Sequence, residues 1–189
     1  MATFKTAFAN ENVKVSHKMQ PHILSNCFGI SYQQFTFPKN TGLSGSIING
    51  TAKGADEKSE AKIFMELLMP QEAEVLAFYD HYNWKEYAAI TKNHYGKGTA
   101  IYIGCMTDNN TLKAVLTEAL NSAEVEIPEY SWPVIVRKGT NDLCKCVRYI
   151  LNYSAEEQNV VYHGADGTEL FSEESVQDGE TVTVLPWNV

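Results

Sequence analysis

The residues best able to do chemistry lie in the segment DHYNWKEY, where Asp80 and His81 stand side by side and His94 follows in the next apolar run. A carboxylate beside an imidazole supplies general acid–base catalysis when a loop bends the two side chains together. Neighbours in a chain otherwise point apart, and no further group converges on this pair, so the segment reads as a surface or subunit-contact loop. No serine occupies a G-x-S-x-G elbow. The run Gly96 to Gly98 lacks the spacing of a phosphate loop and enters a strand rather than a helix, which makes it a hairpin turn. The acidic pairs Glu156-Glu157 and Glu173-Glu174 sit on polar turns and face solvent, so neither can straddle one glycosidic bond.

Cys27, Cys105, Cys144 and Cys146 show no C-x-x-C spacing and no histidine pair beside them, so no metal site and no cofactor is expected. Cys144 and Cys146 lie two apart in a strand-like run and would share a face. The four read as reduced thiols. Trp84, Trp132 and Trp187 are able to stack on sugar rings, but packing is the favoured reading for each. Trp84, set among Tyr82, Asn83 and Lys85 in a polar loop, makes the best contact candidate.

These groups need elements to hold them. PHILSNCFG has a proline near its start, apolar residues at helical spacing and Gly29 where a helix would stop. SYQQFTFP alternates as a strand does, and the Gly-, Ser- and Lys-rich stretch 39–62 reads as a long loop or weak hairpins. AEVLAFY, AAITKNHY and TAIYIG read as strands, the last two joined at the glycine turn. Next, DNNTLKAVLTEALNSAEV offers Asp108 to Thr111 as caps, then Leu112, Val115, Leu116, Ala119, Leu120 and Ala123 on one helical face. The pattern changes at EIPEYSWP. Beyond it come short β-rich runs, VIVRKG, CKCVRYILNYS, NVVYH, GTELF and ETVTVLPWNV, divided by polar turns.

The chain has 189 residues, is 44% hydrophobic, and carries 15 basic against 23 acidic side chains for a formal charge of -8. That size permits one or two packed domains. The charge repels phosphate backbones and anionic membranes, so neither nucleic acid nor a membrane is an expected partner. The absence of a long apolar run or signal-like N-terminus leads to an expected cytoplasmic location.

Several of these segments, taken in order, resemble the trimerisation domain of glycoside hydrolase family 42 β-galactosidases. The similar stretches are Glu66 to Pro70 (E-L-L-x-P), Ala73 to Tyr79 (A-E-V-L-A-x-Y) and Ala89 to Gly104 (A-I-T-x-N-x-Y-G-K-G-x-x-x-Y-I-G). Upstream, NENVKV and PHILSNCFGISYQQF are similar to family segments, with His22 replacing a glycine; downstream, YILNYS, GTELF and VLPWNV look like its small C-terminal β-domain. The resemblance implies a partial flavodoxin-like, glutamine-amidotransferase-like α/β layered domain over 1–128, truncated at its N-terminus, then a small antiparallel β-domain over 129–189. It also implies a C-terminal piece of a parent that hydrolyses terminal β-D-galactosides with retention, the two catalytic glutamates and any zinc belonging to a (β/α)₈ barrel not found in these residues. No catalytic, substrate-binding or metal residue carries over. The implied role is assembly into a homotrimer alongside the parent's own catalytic barrel, with Asp80, His81, Tyr82 and Trp84 as candidate subunit contacts. Two other readings stand beside it: a carbohydrate-binding module using exposed aromatics, and a glutaminase-like hydrolase, for which Cys27 and Cys105 lack the glycine-rich elbow.

Overall fold

The computed structural model describes residues 1–49, 59–125 and 130–189. Contacts divide the chain into two units, Met1–Glu126 and Ile127–Val189. The expected boundary between 128 and 129 lies outside the described residues.

Unit one begins with β1 (Ala2–Thr3), then a 3-10 turn (His22–Leu24) that runs into α1 (Ser25–Phe28). There follow β2 (Ile30–Thr36), β3 (Gly42–Ser44), α2 (Ser46–Asn49), β4 (Ala61–Pro70), β5 (Glu74–Asp80), β6 (Ala88–Tyr95), β7 (Gly98–Ile103), β8 (Cys105–Thr107) and α3 (Asn109–Ser122). The short helix stops where expected because Gly29 takes a left-handed φ of 61°, a conformation that costs glycine nothing. Its carbonyl accepts the N–H groups of Gln71, Glu72 and Ala73, and a Cβ there would lie 2.7 Å from Asn93 Cγ. The expected loop 39–62 contains β3 and α2 in its described part, while 50–58 lie outside the described residues.

All eight described strands of this unit join one sheet. β7, β6, β4 and β2 follow β1 in order, β5 pairs with β3 and β6, and β8 adds to β4. Strands outweigh helices, and among described pairs only β1 with β7 is parallel. The parallel order implied by the flavodoxin-like resemblance is therefore not what these pairs display. The cause is connection length: β4, β5, β6 and β7 follow one another across short loops, whereas a parallel return needs a crossover of about a dozen residues. The tightest loop is the Gly96-Lys97 turn between Tyr95 and Gly98, with Gly96 at φ 58°. No described helix is long and apolar enough to cross a membrane.

Central strand β4 is buried on both faces from Phe64 to Leu68. Its residues Met65 and Leu67 join Leu76, Tyr79, Ile90, Ile103 and Val115 in one core, while Leu68 joins Phe28, Ile30 and Tyr102 in another. Helix α3 starts at Asp108, whose carboxylate accepts the Thr111 N–H at 2.9 Å and its hydroxyl at 2.7 Å. Thr111 and Val115 face the core, and Leu112 and Leu116 are exposed, so the buried stripe is rotated from the expected one. The Thr111 hydroxyl sets that rotation, since Ser59 Oγ holds it at 2.7 Å inside the core.

Among its described residues, unit two holds three two-stranded antiparallel ribbons. They are β9 (Val134–Thr140) with β10 (Cys146–Asn152), β11 (Gln158–Val161) with β14 (Thr181–Val184), and β12 (Gly167–Thr168) with β13 (Ser175–Val176). Val134, Val160 and Val184 form its buried centre. Asn152 is buried and donates from Nδ2 to the carbonyls of Glu156, Val184 and Leu185, which ties the end of β10 to β14.

Candidate functional site

The loop after β5 is a series of tight turns hung on His81. Its carbonyl accepts the N–H groups of Trp84 and Lys85, its Nδ1 accepts the Asn83 N–H at 3.2 Å, and its ring stacks on Trp84 with centroids 6.2 Å apart. Trp84 leans inward and packs on the core beneath. Tyr82 points the other way, 90% exposed at the tip, and Asp80 ends β5 on the surface. Among the described residues no hydrogen bond or ion pair joins Asp80 to His81, and His94 stands near the far end of β6. This loop therefore offers an outward tyrosine on a rigid base rather than an assembled acid–base pair.

A buried carboxylate lies elsewhere. Glu66 is fully buried in β4; its Oε1 accepts the Lys5 backbone N–H at 2.8 Å and its Oε2 accepts the Tyr102 hydroxyl at 2.9 Å. The Tyr79 hydroxyl donates to the Glu66 carbonyl at 2.8 Å. Burial holds the Glu66 carboxyl above the usual range, against the opposing pull of the Lys5 N–H, the Tyr102 hydroxyl and the Lys5 charge. Burial likewise pushes Tyr32 up to about 12, helped by the nearby Glu66 charge, and raises Tyr79 and Tyr102.

The Lys5 ammonium sits 4.8, 5.0 and 5.1 Å from the ring centres of Phe8, Phe35 and Phe64. A cation over aromatic faces is worth roughly 0.5–1 kcal/mol at an exposed site. Glu66 and Lys5 together clip the N-terminal segment onto the sheet. In the sequence Glu66 is only the first residue of the E-L-L-x-P segment. The missed signal was an acid flanked on both sides by apolar residues in IFMELLM, where a strand buried on both faces forces the carboxylate inward.

The cysteines are all free. Burial pushes the Cys105 thiol up to about 12, the reverse of an activated nucleophile, which removes support from a glutaminase-like reading. Cys144 lies in the turn before β10 at φ 57° rather than in the strand, so it and Cys146 do not share a strand face. Among the described residues no group of three histidines, cysteines or acids is placed to hold a metal ion. Trp132 and Trp187, expected to pack, are exposed, because a centre built on three valines is too small to cover an indole.

Comparison with known proteins adds to this geometry. Residues 1–126 match the sequence profile of the beta-galactosidase trimerisation domain. A beta-galactosidase of Heyndrickxia coagulans is 28% identical over 190 residues, taking in 98% of this chain and 27% of its own length. One from Clostridium perfringens is 27% identical over 153 residues, 76% of this chain and 21% of that protein. The chain thus spans about a quarter of the length of the curated relatives it matches. The crystal structure of a beta-galactosidase from Bacillus circulans sp. alkalophilus superposes with a TM-score of 0.81 at 21% identity, covering 98% of this chain and 27% of that one. A cold-adapted beta-galactosidase from Rahnella sp. R3 gives 0.74 at 20% identity over 98% and 27%. At such identities the likeness shows a shared fold.

Proposed function

The chain belongs to the beta-galactosidase trimerisation-domain family, and from that premise we propose that it is a non-catalytic assembly region of a family 42 β-galactosidase. The observation that carries this reading is the profile match over residues 1–126, joined to a fold shared along nearly the whole chain with a quarter of a solved beta-galactosidase. In this proposal the parent hydrolyses terminal β-D-galactosides with retention in the cytoplasm, a separate barrel supplies the two catalytic carboxylates, and three copies associate. Asp80, His81, Tyr82 and Trp84 form a subunit contact, with Tyr82 as the outward anchor and Trp84 as its footing. The assembly domain runs over 1–128 and the small β-domain over 129–189. Kinship with the flavodoxin-like layered fold belongs to the same proposal, supported by the parallel β1–β7 pair and by α3 following β8.

The test is the molar mass of the purified chain by size exclusion with light scattering over a dilution series. Three times 21.1 kDa, persisting on dilution, is the expected result. A monomer at every concentration would remove the assembly role from this chain.

A further inference from the structure

Unit two separates its charges into two blocks. Every lysine and arginine from residue 130 onward falls between Arg137 and Arg148, a stretch with one acid, Asp142. From Tyr149 to Val189 the chain carries acids and no lysine or arginine.

Each block builds a ribbon that stands in solvent. On β9 and β10 the residues from Arg137 to Cys146 are exposed, and their turn is fixed by Asn141, whose Oδ1 accepts the N–H groups of Leu143 and Lys145 at 3.0 Å each. Leu143 at that turn is 77% exposed. On β12 and β13 the tip is fixed by Glu169. Its carbonyl accepts the Glu173 N–H, its N–H donates to the Glu174 carbonyl, and its carboxylate accepts the N–H groups of Ser172 and Phe171. Leu170 and Phe171 are thereby held outward, 74% and 83% exposed, between Glu169 on one side and Glu173 and Glu174 on the other.

A two-stranded ribbon alone is marginal in water, and rigid display of two large apolar side chains is unfavourable unless something covers them. The cover must present apolar surface with a cationic rim. An anionic bilayer is repelled by the ring of acids. The complementary charge exists on the same unit, on the exposed β9–β10 ribbon, which carries Leu143 and Lys145 in its turn and Arg137 further along β9.

We infer that the Leu170–Phe171 tip of one copy docks on the basic β9–β10 ribbon of a second copy. Two different surfaces meet, so the contact is head-to-tail, the kind that closes into a ring when the rotation between copies permits. This inference rests on the assembly reading and adds unit two to the subunit contact.

Charge reversal tests it, read by light scattering on the full chain across a dilution series. One variant reverses the tip, Glu173→Lys with Glu174→Lys; another reverses the ribbon, Arg137→Glu with Lys145→Glu; a third combines all four changes. Each half-reversal should raise the concentration of half-dissociation by about tenfold or more, and the combined variant should return toward the parent chain. Half-reversals that dissociate like the parent, or a combined variant no better than its halves, would overturn the inference and leave the assembly reading intact. A parent chain that is monomeric throughout would sink both. If circular dichroism shows a reversed variant misfolded, Leu170→Ser with Phe171→Ser at the exposed tip gives the same readout, and an undisturbed trimer there overturns the contact.

Discussion

Tyr102 donates its hydroxyl hydrogen to Glu66 Oε2 across 2.9 Å, on a carboxylate from which the fold excludes water. The bond spans β7 and β4, strands that are not neighbours in the sheet order, and with the Lys5 N–H on the other oxygen it leaves the carboxylate partnered at both oxygens. Partnering does not cancel the cost of burying the charge, and so the Glu66 carboxyl stays above its ordinary range.

The pH dependence of stability follows from that direction. A carboxyl raised in the folded state contributes stability that is fully present below its unfolded value and is lost as pH rises through the higher folded value. Glu66→Gln cannot ionise and keeps an acceptor for Lys5, so its melting temperature relative to the parent chain should climb as pH rises from the acid side through neutrality. Glu66→Ala instead orphans the Lys5 N–H and the Tyr102 hydroxyl and should cost about 1–3 kcal/mol at any pH in that range. Thermal melts of the three proteins across pH decide it; a glutamine variant that loses ground with rising pH would show the sign to be wrong.

Two glycines separate close approach from turn geometry. A Cβ at Gly104 would stand 2.8 Å from Leu68 Cδ1 and 3.2 Å from the Ala89 carbonyl, whereas a Cβ at Gly96 meets nothing within 4 Å and suffers only from its φ of 58°. Gly104 also links the strands, since its N–H donates to Ala89 and its carbonyl accepts the Glu66 N–H. Gly104→Ala should therefore cost about 2–3 kcal/mol through overpacking, and Gly96→Ala about 1 kcal/mol through backbone strain. Urea unfolding measures both, and equal losses would contradict the distinction.

The helix cap offers a cleaner energetic test. Asp108→Ala removes the acceptor of both the Thr111 N–H and its buried hydroxyl, and the expected loss is about 1–2 kcal/mol. Asp108→Asn retains an acceptor oxygen and should recover most of it. Urea midpoints for the pair check this; an asparagine variant as weak as alanine would mean that charge rather than the cap bond matters.

The local signals that proved legible are those with a short physical reach. Gly29 ending a helix, Asp108 beginning one and a glycine turn joining two strands each depend on a few neighbouring residues, and each stands as read. The orientation of α3 was not legible, because it hangs on a hydroxyl pair between Ser59 and Thr111, far apart in the chain, while hydrophobic periodicity favoured Leu112 and Leu116. Glu66 was hidden for the same reason: the partners that make its burial tolerable, Lys5 and Tyr102, come from distant segments. At the candidate contact the residues could be named from sequence, but not which of them faces out. Tyr82 and Trp84 are told apart there by the turn bonds that His81 collects and by the core beneath Trp84.

That division of labour gives the contact proposal its sharpest test. Tyr82 is almost wholly exposed and should contribute little to folding, so Tyr82→Ser should leave the melting temperature unchanged within about 1 °C. Trp84 is half-buried on the core, and Trp84→Ala should cost about 2 kcal/mol, less than the loss for a fully buried indole. If the loop is a subunit contact, Tyr82→Ser weakens association while stability holds, because an exposed aromatic anchor acts only when a partner covers it. Light scattering on dilution alongside a thermal melt separates the two effects. A Tyr82 variant that associates as tightly as the parent chain would confine this loop to architecture, with Trp84 as its only energetic role.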